Sequence, residues 1–184
     1  MIFKRLVMIK ISQSNTLTGK IPNKEDLKEE ITASLMLVYT AEQQWLAILP
    51  ILQLAIGCED FLKTLQKFQK DGAVHLRRLE DIVEIMEAKI TPAEHRDFEV
   101  LIDECYDIID ITPRNTFIRD AGLIVGVQQV QQYQITAYIS LLAQAKVYGK
   151  EKIINLIKII LNHKQEEEEI LTMTGTNQML EEIN

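Results

Sequence analysis

Apolar residues recur at steps of three and four through residues 25–88 and again through residues 114–173, the spacing that gathers them on one face of an α-helix. Asn23 is suited to cap the first helix, because Glu25, Asp26, Glu29 and Glu30 follow where the helix dipole favours negative charge. This helix is expected to run to about residue 57 and to kink at Pro50, which lacks an N–H. A second, over about 58–88, carries the stripe Leu62, Leu65, Leu76, Leu79, Val83 and Met86. Ile90-Thr91-Pro92 ends it, with Thr91 as cap and Pro92 opening a short third helix over about 92–110. Ile111-Thr112-Pro113-Arg114 repeats the signal before a long helix over about 114–147. Tyr148-Gly149-Lys150 then separates that helix from a last one over about 150–173. Residues 1–22 read as an N-terminal extension and 176–184 as a tail, leaving residues 23–175 as the folded unit. The pattern predicts an all-α fold, a bundle of four long helices and one extra short helix, with up-and-down hairpins joined by a crossover.

Composition narrows the partners. A chain of 184 residues with 47% apolar residues can bury one sizeable core. A net charge of -7 makes it a poor match for nucleic acid, and Lys4, Arg5 and Lys10 are too few to reverse that. Cys58 and Cys105 form no CxxC pair; they read as reduced thiols packed like small apolar groups, with a disulfide as the alternative. The sequence contains no uninterrupted apolar run near the roughly 20 residues a bilayer span needs, and charge interrupts the opening MIFKRLVMIKI. A soluble cytoplasmic protein with no membrane partner is expected. There is no phosphate-binding glycine loop, nucleophile elbow or HExxH.

Candidate chemistry lies on the inward helix faces. Glu42 has Leu35, Val38, Tyr39, Trp45, Leu46 and Leu49 as its helical neighbours, which places a carboxylate within an apolar stripe. Such a group needs a metal, a cationic partner or a raised pKa, unless it sits at the edge of the stripe in water. Gln131 and Gln134 share faces with Val127, Val130, Tyr138 and Leu141, although a run of glutamines can also be a solvated face. In the last helix Lys164, Glu168 and Leu171 continue the line of Ile157, Ile160 and Leu161; the other reading is a pair whose stems cover the bundle edge. Asp71 and His75 stand one turn apart, able to share a divalent metal, though histidine also satisfies itself by ordinary hydrogen bonds.

Several of these stretches resemble the YciF-like family of ferritin-like proteins, a bacterial group with a domain of unknown function associated with stress responses. The likeness is carried by residues 37–44 (Leu-Val-Tyr-Thr-Ala-Glu-Gln-Gln), Leu49-Pro50, Arg78-Leu79-Glu80, Arg119-Asp120-Ala121-Gly122-Leu123-Ile124, and the segment from Val130 to Ile135 with Tyr138. The resemblance implies a ferritin-like four-helix core, a homodimer, and a bundle interior where related proteins hold two metal ions, iron or manganese. Glu42, Asp71, His75 and Glu168 fall at positions the family uses for acids and histidine. Gln131 and Gln134 stand where it has glutamates, and Lys164 stands where it has another acid. The expectation is therefore a degenerate di-metal site in a structural or stress-related protein. The alternatives are a metal-binding, ferroxidase-like oxidoreductase using Glu42, Asp71, His75 and Glu168, and a partner-binding module that dimerises through an exposed helix face.

Overall fold

The computed structural model describes residues 23–183 except Pro92, so the proposed extension over residues 1–22 and the Pro92 helix start lie outside the described residues. Asn23 opens the first helix with a capping box: its side chain accepts from the Glu25 and Asp26 N–H groups at 2.8 and 3.0 Å, and its own N–H donates to the Asp26 carboxylate at 3.0 Å. Helix α1 spans Lys24–Ala55 and contains Pro50. It is followed by α2 (Glu59–Ile85), α3 (Arg96–Ile111), α4 (Phe117–Tyr148) and α5 (Glu151–Ile183). Gly149, at φ 82°, takes the left-handed conformation that ends α4 and turns the chain into α5. Among the described residues there is no strand, so the all-α expectation holds.

Two boundaries differ from the sequence reading. The third helix starts at Arg96 rather than near residue 92, with His95 at its cap position. The last helix continues to Ile183, so residues 176–183 extend the bundle instead of forming a tail. Gly175, which resembles a helix stop, is there for a close approach: an added Cβ would come within 3.0 Å of Ile124 on α4.

Long-range hydrogen bonds fix the helix directions. Gly57, after α1, meets Asp120 at the start of α4, while Thr64 early in α2 meets Thr174 late in α5. Lys150, before α5, reaches the Ile85 carbonyl at the end of α2. Each long helix therefore runs antiparallel to its neighbours in the order α1, α2, α5, α4. Helix α3 is the crossover that carries the chain back along α1 and α4, the one-crossover plan of ferritin-like bundles.

The core falls into two apolar clusters. One gathers Leu35, Tyr39, Leu79, Ile82, Tyr138, Leu141, Ile157 and Ile160 towards one end. The other gathers Trp45, Leu49, Phe61, Phe68, Phe98, Leu123, Val127 and Leu171 towards the end where α1 meets α4. Helix α1 is long and apolar enough to cross a membrane by length and composition, although charged residues interrupt its apolar run. Its apolar stripe, including Leu35, Trp45, Leu49 and Leu52, lies in the bundle core.

Arg119 and Asp120 hold the crossover in place from the first turn of α4. The Arg119 guanidinium donates to the Ile109 carbonyl at 2.6 Å, to the Thr112 carbonyl and to the Thr112 hydroxyl, closing the end of α3. The buried Asp120 carboxylate accepts from the N–H groups of Gly57 at 3.0 Å and Cys58 at 2.8 Å, capping α2 from a different helix. Asp120→Ala is expected to lower the unfolding free energy by about 1–3 kcal/mol in urea titration, because it leaves those N–H groups without their acceptor. Unchanged stability in that variant would contradict this role.

Candidate functional site: a buried ion cluster

Between the two apolar clusters lies a sealed polar layer built by α1, α4 and α5. Glu42 faces inward from α1, as its apolar neighbours require, and is fully buried. Gln131, Gln134 and Tyr138 line one face of α4, and Lys164 and Glu167 one face of α5. The ammonium of Lys164, with no exposure to solvent, lies at the centre. Its Nζ is 3.2 Å from Glu42 Oε1, 3.4 Å from Glu167 Oε2 and 3.1 Å from Gln134 Oε1, one oxygen for each of its three protons. Tyr138 donates its hydroxyl to Glu42 Oε1 at 2.9 Å, and Gln131 donates its amide to Glu167 Oε2 at 3.2 Å.

Titration behaviour follows from this enclosure. Burial alone would lower the Lys164 pKa, but the Glu167 and Glu42 carboxylates outweigh it and hold the ammonium above its ordinary value. Glu167 is raised above the usual carboxylate range by burial, which Glu42 reinforces and Lys164 opposes. The two shifts share one cause: two carboxylates are buried against a single ammonium. Tyr138 is raised by burial and by Glu42. His75 is pushed down to about 2 by burial and then by the Lys164 charge, so it is neutral in the folded protein.

The residues singled out from sequence separate into two groups. Glu42, Gln131, Gln134 and Lys164 meet in the cluster. Asp71 does not join it through a direct bond; half-buried on α2, it pairs with Lys67 at 2.5 Å. His75 is buried, with Nε2 3.4 Å from His163 Nδ1 on α5. Glu168 lies at the bundle surface and accepts from the exposed Gln132 at 2.6 Å; the acid on the inward line is Glu167, one residue earlier. Cys58 and Cys105 are both free thiols, and burial pushes Cys105 up to about 12.

These residues do not fit a binuclear metal centre. Two such ions bring about four positive charges and need several anionic oxygens. Here the carboxylates of Glu42 and Glu167 already surround an ammonium, and the facing side chains of α4 are uncharged amides. Among the described residues, no group of three or more His, Cys, Asp or Glu side chains is placed to hold one ion.

Residues 26–184 match the family described as a domain of unknown function, DUF892. The chain belongs to this family. Protein YciF of Escherichia coli (strain K12) is 29% identical over 140 residues, covering 76% of this chain and 84% of the relative. The crystal structure of that stress protein superimposes with a TM-score of 0.79 at 27% identity, over 83% of this chain and 96% of the other. YcfI from Rhodopseudomonas palustris shares the fold, with a TM-score of 0.74 at 23% identity over 85% of this chain and 97% of the other.

His75 supplies a pH test. Its folded-state pKa lies below the 6.5 of the unfolded chain, so the unfolded state binds the extra proton, and the stability tied to neutral His75 is lost as pH falls below that value. His75→Gln is expected to gain on the wild type by up to about 1.4 kcal/mol per pH unit below pH 6. Parallel chemical-denaturation curves at pH 7 and pH 5 check it, and an identical pH dependence in the two proteins would refute it.

Proposed function

We propose that this member of the DUF892 family is a structural, stress-related ferritin-like protein whose di-metal site has degenerated and which catalyses no metal oxidation. The observation that supports this reading is the Lys164 ammonium held between Glu42 and Glu167 at the middle of the bundle. A cation fixed to the chain supplies the positive charge there, and desolvation of the triad roughly offsets its attraction, so the arrangement serves specificity of packing more than net stability. The stress association is carried over from the relative, the Escherichia coli stress protein. An oxidoreductase reading based on Glu42, Asp71, His75 and Glu168 has less support, because Asp71 is engaged by Lys67 and Glu168 by Gln132 at the bundle surface. Protein purified without chelator is expected to contain well under one iron or manganese per chain by elemental analysis. Two stoichiometric ions per chain would overturn the proposal.

We also propose a cytoplasmic homodimer. Its support is the outer face of α4, where Ile118, Val125 and Ile139 recur at steps of seven and fourteen and are 68%, 47% and 51% exposed. No charged residue occurs on that helix between Ala121 and Ala145, unlike the surface of a chain in which 26% of residues are charged. Sedimentation at micromolar concentration is expected to give a dimer for the wild type and a monomer for the doubly substituted Ile118→Glu/Val125→Glu protein. A wild-type monomer would contradict the proposal.

A further inference from the structure

Helix α3 packs on α1 and α4 through one face and leaves the other without a partner among the described elements. Phe98 and Cys105 are buried on the inner side. Along the opposite line Val100, Glu104, Asp107 and Ile111 follow at steps of four, three and four residues, and all of them are exposed. Val100 and Ile111, at 56% and 79% exposure, leave apolar groups in water at the two ends of that line. The helix carries six acids and a single cation, Arg96, which sits in the first turn and lies 3.6 Å from Glu94. Asp103, Glu104, Asp107 and Asp110 form no ion pair among the described residues.

The chain itself holds the complement of this surface. Residues 1–22, outside the described residues, contain Lys4, Arg5, Lys10 and Lys20 and no acid, in a chain whose net charge is -7. Lys4, Arg5 and Lys10 are interleaved with apolar residues, among them Phe3, Leu6, Val7 and Ile9. We infer that residues 2–11 dock on the outer face of α3 of the same chain. Their cations meet Asp103, Glu104, Asp107 and Asp110, and their apolar side chains cover Val100 and Ile111. The intervening length allows it. The largely polar residues 12–22 span up to about 36–40 Å when extended. Helix α3 begins beside Gln44, whose amide donates to Glu99 at 3.2 Å. Gln44 lies twenty-one residues after the Asn23 cap, about 32 Å along α1. A connection of that length holds the two surfaces at an effective concentration on the order of millimolar, so individually weak, exposed ion pairs suffice when apolar contact accompanies them.

Trypsin cleavage after Lys10 in the full-length protein, followed by mass spectrometry, tests the docking, with a synthetic peptide of residues 1–22 as the undocked reference. At low salt the wild type is expected to be cut about ten-fold or more slowly than the peptide, and 0.5 M salt should narrow that gap. Asp103→Lys/Asp107→Lys should bring cleavage close to the peptide rate while leaving far-UV circular dichroism unchanged, because both positions are exposed. Lys4→Glu/Arg5→Glu should do the same, and combining the two double substitutions should restore the protection. A wild-type segment cut as fast as the peptide overturns the inference, as does protection that survives the α3 substitutions or appears only with anionic lipid vesicles. Protection lost on dilution from 50 to 1 micromolar would assign the segment to a second copy and overturn docking within one chain.

Discussion

An ammonium group cut off from water has to find its hydrogen-bond acceptors and its neutralising charge inside the protein, and the packing of this bundle follows from where Lys164 finds them. Glu42 on α1, Gln134 on α4 and Glu167 on α5 each present an oxygen to it, so a single side chain fixes the relative height of three helices. A slip of one turn along any of them, about 5.4 Å, would strand a charge in the core. Purely apolar faces tolerate such slips far better.

The polar layer also explains why the core is divided. Apolar residues of α1, α2, α4 and α5 form one cluster on each side of it, with Tyr39 and Tyr138 in one and Trp45 and Phe68 in the other. Helix α3 adds Phe98 and Cys105 only to the second, where it crosses α4 beside Gly126, whose missing side chain leaves room for the Cys105 sulfur. The crossover is then closed by Arg119 and Asp120, two adjacent charged residues that use backbone groups of other segments as partners. Burial of charge in this protein therefore serves two separate ends: register in the middle of the bundle and chain closure at one end.

Much of this was legible in the sequence, for definite reasons. Three- and four-residue periodicity with capping signals marks the long helices, and an acid surrounded by Leu35, Val38, Trp45 and Leu49 must face inward on any helix. The inward acid of α5 was misplaced because residues 166–169 are four consecutive glutamates, and both the third and fourth residues after Lys164 lie near the same helical line. Composition does not choose between Glu167 and Glu168; the position of Gln131 on α4 does. Helix α5 runs past residue 173 and through Gly175, where the missing side chain admits Ile124 of α4. The Gly57 and Cys58 N–H groups that Asp120 accepts from lie more than sixty residues away in sequence, beyond what local pattern can reveal.

The cation inside this bundle is a lysine ammonium, charged and sealed from solvent. Nitrogen-15 NMR of the wild-type protein labelled at lysine tests it most directly. One NH3+ resonance is expected to exchange slowly with water, to persist at pH values where the surface lysines have begun to lose theirs, and to disappear when Lys164 is replaced. A Lys164 signal that exchanges as fast as those of the surface lysines, or that titrates as a neutral amine below the ordinary lysine range, would contradict it.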